Sequence, residues 1–181
     1  MSTPPKDEKA PPPPPPPPEN PASKIPPIVL KLKSAPVGHC FQPEKPTDPF
    51  PAPTGPYFFY GTLSDPAMLR DILRLETEPV LRPASLTGYE CKLWGQYPAL
   101  LDAKGSVVHG FVYRVQAEEH GGRLAGYETD NYRAEPCQIQ YTDGNQPRED
   151  SGFVFKFVGN TKDLSEGAFD LGVWLGRMGR R

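Results

Sequence analysis

Two short stretches carry residues whose types and spacing suit chemistry. The first is Leu124-Ala125-Gly126-Tyr127-Glu128-Thr129-Asp130-Asn131-Tyr132-Arg133. Glu128 comes at the end of a helix-like turn, beside an aromatic residue and just ahead of a strand. A carboxyl so placed can face an interior cavity, where desolvation raises its pKa toward neutrality and makes it a competent base and acid. The competing reading is a surface carboxylate near a helix end, paired with Arg133. Tyr132 reads either as pocket lining or as a core tyrosine. The second stretch is Tyr57-Phe58-Phe59-Tyr60-Gly61-Thr62-Leu63-Ser64-Asp65-Pro66. Here a strand, a glycine turn and a helix N-terminus aim several backbone N–H groups and the positive end of a dipole at one point. That is a seat for a carboxylate or a developing oxyanion, and the plain alternative is an ordinary strand-to-helix connection.

The elements that position these stretches follow from periodicity. Four aromatic residues in a row, Tyr57 to Tyr60, suit a short strand buried on both faces. Gly61 permits a sharp turn and close approach to the main chain. Ser64 or Asp65 caps a helix that has Pro66 in its first turn and Met68, Leu69, Ile72 and Leu73 at helical spacing. Thr87 to Trp94 alternates as a half-buried strand. Tyr97 to Leu101 and Ser106 to Val115 read as two strands paired in a hairpin across a turn at Asp102-Ala103-Lys104-Gly105. In the second of these, Val107, Phe111, Tyr113 and Val115 share one face and Val108 and Val112 the other, so both faces are expected to be buried. Glu118 to Tyr127 forms a short helix weakened by Gly121-Gly122, with Leu124 and Tyr127 inward. Tyr132 to Tyr141 and Gly152 to Val158 complete the strands, with a turn at Asp143 to Pro147 between them. A last helix, capped by Ser165, carries Ala168, Leu171, Trp174, Leu175 and Met178 at core-facing intervals. The layout is α+β: a mostly antiparallel sheet, curved into a small barrel that leaves no open edges, with a few flanking helices.

Composition divides the chain. Of its 26 prolines in 181 residues, 20 lie within residues 1–56. Residues 1–55 read as a disordered proline-rich arm, and residues 56–181 as one folded domain long enough for its own core. The run Pro11–Pro18 has to be polyproline II. It reads either as a ligand for an aromatic groove of the SH3 or WW kind, or as a solubilising spacer. Ile28 to Leu32 alternates with lysines and reads as a loose edge strand. A formal net charge of −2 gives no footprint for nucleic acid or an anionic membrane. No apolar run approaches a membrane span, and Ile25 to Leu32, broken by Pro26 and Pro27, is too short for a signal core. A cytoplasmic location is the default expectation. Cys40, Cys91 and Cys137, with His39, His109 and His120, show no zinc or disulfide spacing. They read as buried or idle groups rather than as a catalytic Cys–His pair. No phosphate-binding glycine signature is present.

Tyr60-Gly61-Thr62-Leu63, Tyr97-Pro98-Ala99, Gly110-Phe111-Val112-Tyr113, Tyr127-Glu128 and Tyr132-Arg133 occur in that order. In sequence and spacing they resemble the γ-glutamylcyclotransferase-like proteins, in particular the AIG2-like branch, over about residues 57–160. One departure is Leu124-Ala125, where that family commonly has Leu-Asp. The resemblance implies a small barrel and cyclisation of a γ-glutamyl compound to 5-oxoproline with release of the attached amine, without cofactor or metal. It implies Glu128 as general base and then acid. It also implies that the loop of Tyr60, Gly61, Thr62, Leu63, Ser64 and Asp65 holds the substrate's α-carboxylate or the oxyanion. Two rival functions remain at this stage: a non-catalytic binding module of the same fold, and a cyclotransferase that trims a glutathione-conjugated specialised metabolite.

Overall fold

The computed structural model of the chain describes residues 52–180. The proline run Pro11–Pro18, the segment Ile28 to Leu32 and the pair His39-Cys40 lie outside the described residues.

The strands are β1 (Gly55–Phe59), β2 (Arg82–Trp94), β3 (Tyr97–Val115), β4 (Tyr132–Tyr141), β5 (Glu149–Phe157) and the two-residue β6 (Leu164–Ser165). The helices are α1 (Pro66–Leu73), α2 (Glu118–Glu128) and α3 (Leu171–Arg177), with 3-10 turns at Thr62–Ser64 and Thr161–Asp163. Sheet order runs β3-β1-β5-β4-β2, and a further pairing of β2 with β3 closes the ring into a five-stranded barrel. β6 is appended to β2. Every pairing is antiparallel except that of β1 with β5. The expected α+β barrel is therefore the fold.

Each of the five barrel strands sends apolar side chains inward: Phe58 from β1, Leu86 from β2, Leu100 and Val112 from β3, Ile139 from β4 and Val154 from β5. The opposite faces of β1 and β5 carry Tyr57, Phe59, Phe155 and Phe157. These pack under the helices with Leu63, Met68, Leu69, Leu73, Leu124 and Trp174. The aromatic run of β1 is thus buried on both faces, and this explains its composition.

One long hairpin replaces the expected short one. β3 is a single strand of 19 residues, and its reversal is with β2, where Trp94 pairs with Tyr97 around Gly95 (φ +62). Asp102 to Gly105 bends the strand without reversing it. Thr87 pairs with Val107 and Tyr89 with Asp102, so one residue of β2, Gly88, faces residues 103–106 of β3. Such a bulge sharpens the local twist and bends the ribbon, as barrel closure requires. Gly88 and Gly105 sit there at φ +93 and +87, the left-handed region that glycine enters without penalty. Past the bulge the outer face of β3 is open to water: Val107 and Phe111 are exposed, contrary to the expected burial on both faces.

Helix ends are set locally. Asp65 is the cap of α1, its carboxylate accepting the Met68 N–H at 2.7 Å, and Pro66 stands in the first turn. α3 is capped by Asp170, which accepts the Val173 N–H at 2.8 Å, and not by Ser165. Ser165 instead pairs in β6 with Leu93, and Ala168 lies exposed ahead of the helix. Among the described residues no helix is long and apolar enough to cross a membrane.

Packing reaches back to Ala52, which is buried against α2. A Cβ on Gly121 would stand 2.3 Å from the Ala52 carbonyl oxygen, whereas one on Gly122 would meet nothing within 4 Å. The two adjacent glycines therefore differ in purpose. Gly121→Ala should lower the melting temperature, since backbone has to move to admit the methyl. Gly122→Ala should raise stability by up to about 1 kcal/mol, the helix propensity gained over glycine, or roughly 3 °C. Thermal melts of the two variants check this, and equal shifts of one sign would contradict it.

Candidate active site

A pocket of about 340 Å³, measured with its open mouth, lies where β1 ends and α2 ends. Phe58, Phe59, Tyr60, Gly61, Thr62 and Leu63 line it from β1 and the turn after it. Tyr97 and Pro98 come from the root of the long hairpin, Glu128 from the last position of α2, and Tyr132 and Phe155 from β4 and β5. Of the residues expected from sequence, Tyr60, Gly61, Thr62, Leu63, Glu128 and Tyr132 are brought together here. Ser64 and Asp65 are not among the lining residues. Asp65 is engaged in capping α1. The turn Thr62–Ser64 borders the pocket through Thr62 and Leu63, and the Ser64 N–H donates to the Gly61 carbonyl at 3.0 Å.

Sequence reasoning did not single out Pro98 as a structural neighbour of the loop. A Cβ on Gly61 would lie 2.7 Å from Pro98 Cγ. The close approach for which Gly61 is needed is therefore to the pyrrolidine ring. The Pro98 carbonyl in turn accepts a hydrogen bond from the Tyr132 hydroxyl at 3.2 Å. The β1 turn, the hairpin root and β4 all meet at this one residue.

The polar lining is largely phenolic. The Tyr60 hydroxyl donates to the Phe155 carbonyl at 2.6 Å, and Tyr127, just behind the wall, shares a hydrogen bond of 2.8 Å with Thr62 Oγ1. Burial pushes the Tyr60 hydroxyl well above its ordinary pKa, with Tyr132, Glu128 and Cys91 adding to the effect. Burial is also the main cause for Tyr132 and Tyr127, and the Glu128 charge adds to both. These three phenols stay neutral through the physiological range, so each can donate as well as accept. Glu128 is partly buried and close enough for its charge to be felt at all three.

The backbone after Glu128 is strained. Thr129 caps α2 at φ +66 and ψ 175, a region that a β-branched residue enters only under constraint, at a cost of about 1–3 kcal/mol. Its N–H donates to the Ala125 carbonyl at 3.1 Å and its own carbonyl accepts from the Tyr132 N–H at 3.2 Å. These bonds join the helix end directly to β4. Among the described residues the buried Thr129 hydroxyl has no hydrogen-bond partner. Ala125, in place of the aspartate common in the resembling proteins, packs partly buried against the core, and Glu128 still lines the pocket.

The cysteines of the described residues are inert thiols. Burial pushes both Cys91 and Cys137 up to about 12, so neither is a thiolate near neutral pH. Among the described residues no group of three His, Cys, Asp or Glu side chains is gathered to hold a metal ion.

A family model described as "Gamma-glutamyl cyclotransferase, AIG2-like" matches residues 57–175. Among solved structures, two solution structures of Arabidopsis thaliana proteins are similar. One is 21% identical with a TM-score of 0.54, covering 75% of this chain and 79% of that one. The other is 21% identical with a TM-score of 0.52, covering 74% and 88%. The crystal structure of an AIG2-like protein from Mus musculus is 18% identical with a TM-score of 0.51, covering 65% of this chain and 88% of that one. At these identities the likeness concerns the fold. No curated protein sequence matches the chain.

Gly61→Ala should force the Pro98 ring aside and lower the melting temperature while leaving the barrel folded. Thermal melts measure this, and a melting temperature equal to that of the wild type would show that the ring gives way without cost.

Proposed function

The chain belongs to the AIG2-like gamma-glutamyl cyclotransferase family, and from that premise we propose that it closes a γ-glutamyl group into 5-oxoproline and releases the attached amine. One arrangement supports the reading above all. Glu128 lines the same pocket as Gly61, Thr62 and Leu63, which puts a carboxylate opposite a turn that offers N–H groups.

The chemistry needs both. The substrate's α-ammonium must lose a proton before its nitrogen can attack the γ-carbonyl carbon, and Glu128 takes that proton as general base. As the new C–N bond closes the five-membered ring, negative charge develops on the carbonyl oxygen. N–H groups of the turn at residues 61–63 supply hydrogen bonds for negative charge on the substrate, whether on its α-carboxylate or on this oxyanion. The intermediate then collapses: the ring nitrogen gives up its second proton to solvent, the original C–N bond breaks, and Glu128 returns the first proton to the departing nitrogen, which leaves as the free amine. Holding the glutamyl chain folded within an aromatic pocket supplies the proximity term, worth several orders of magnitude in well-oriented reactions. The neutral phenols of Tyr60 and Tyr132 offer a polar lining without adding charge.

The test is 5-oxoproline release from a panel of γ-glutamyl dipeptides, glutathione and γ-glutamyl-lysine, followed by chromatography. Turnover of at least one member is expected, and Glu128→Gln should fold with an unchanged melt yet lose roughly 10²- to 10⁴-fold in kcat. Wild-type turnover in that variant would remove Glu128 from its role. The pH profile makes a further check. Because Tyr60, Tyr127 and Tyr132 are all raised above their ordinary 10.0, their neutral form persists and no limb from them should appear below about pH 10. A limb that Tyr60→Phe or Tyr132→Phe abolishes would contradict this.

A further inference from the structure

We infer that the hydrogen bond between Thr62 and Tyr127 is the positioning element of the site, fixing how far the charge-holding turn stands from the proton-carrying carboxylate. This rests on reading the pocket as a cyclotransferase site. Thr62 lies within the turn and Tyr127 precedes Glu128 at the end of α2, so the bond joins the turn to the immediate neighbour of the carboxylate residue. The residues are 65 apart in sequence, and the contact is 2.8 Å long and buried. Thr62 is 5% exposed and Tyr127 3%.

The residue types argue for a directional role. A valine and a phenylalanine would fill the same space without burying two hydroxyls, and a buried hydroxyl costs free energy unless it is bonded. Here each satisfies the other in a dry environment, where a hydrogen bond is stiffer and stronger than in water. The helix is held elsewhere by the Arg123 guanidinium on the Leu73 carbonyl of α1, more than a turn back from Glu128. Near Glu128 the end of α2 is joined to the turn through Thr62 and to β4 through Thr129. Releasing the first of these lets the last turn of α2 shift by a fraction of an ångström, and a displacement of about 1 Å in a catalytic group can cost 10²-fold in rate.

Steady-state kinetics on the full chain test this, using whichever γ-glutamyl substrate the wild type turns over. Thr62→Val and Tyr127→Phe should each lower kcat by about 10- to 100-fold with KM within about threefold. Thr62→Ser, which keeps the hydroxyl, should recover most of kcat. The double variant should be no worse than either single one, as expected when both remove the same contact. A contact that serves only the core would lower the melting temperature and leave kcat where it was. Unchanged kcat in both Thr62→Val and Tyr127→Phe, or a loss confined to KM, overturns the positioning role alone. A wild type that releases no 5-oxoproline from any γ-glutamyl substrate overturns the cyclotransferase reading, and this role with it.

Discussion

Closure of the barrel through the pairing of β2 with β3 is the constraint on which the rest depends. β3 pairs with β1 from Phe111 to Val115, Phe59 opposite Phe111, and with β2 from Tyr97 to Val112 on either side of the bulge. A flat ribbon of that length could not meet itself. The bulge at Gly88 and residues 103–106 bends it, and the bend brings the hairpin root at Tyr97 and Pro98 over the end of β1. The pocket is the space left where the chain turns away at that end of the barrel. Its walls are strand ends, held by the ladder, with one helix end laid beside them. A site built this way is set by the scaffold, not by a mobile loop.

Within that frame the pocket is kept in shape by three kinds of constraint. Gly61 against the Pro98 ring is steric, and an added carbon would displace the ring. Tyr132 to the Pro98 carbonyl and Tyr60 to the Phe155 carbonyl are hydrogen bonds that fix ring orientation. Thr129 stores strain beside Glu128, which the surrounding bonds to Ala125 and Tyr132 hold in place. Strain of this sort gathers where geometry matters more than stability.

Much of this was legible in the sequence, and the misses have physical causes. The strand Tyr57–Tyr60 could be read because aromatic residues on both faces demand burial on both faces. Glu128 and the Gly61 turn could be placed together only through the ordered motifs, since neither stretch alone distinguishes a pocket from a surface. Asp102-Ala103-Lys104-Gly105 has the composition of a reversal but serves as a bend, because a bulge and a turn call on the same residues for the same backbone angles. The reversal itself, Trp94-Gly95-Gln96-Tyr97, carries a weaker signature. Val107 and Phe111 looked like core because hydrophobicity alone does not reveal which wall of a barrel a helix will cover. Ser165 reads as a cap by residue type, but it pairs in β6, and Asp170, next to the helix start, accepts the Val173 N–H instead. Pro98 behind Gly61 and Tyr127 on Thr62 are contacts across distant segments, to which no local pattern points.

The account turns on Glu128 and the turn at residues 61–63 holding one molecule between them. A crystal structure of the protein soaked with 5-oxoproline examines that claim directly. The account predicts the product in this pocket, an oxygen of it within hydrogen-bond reach of the N–H groups of the turn, and the lactam nitrogen within reach of the Glu128 carboxylate. Product bound elsewhere on the barrel, or bound here with Glu128 turned out to solvent, would contradict it.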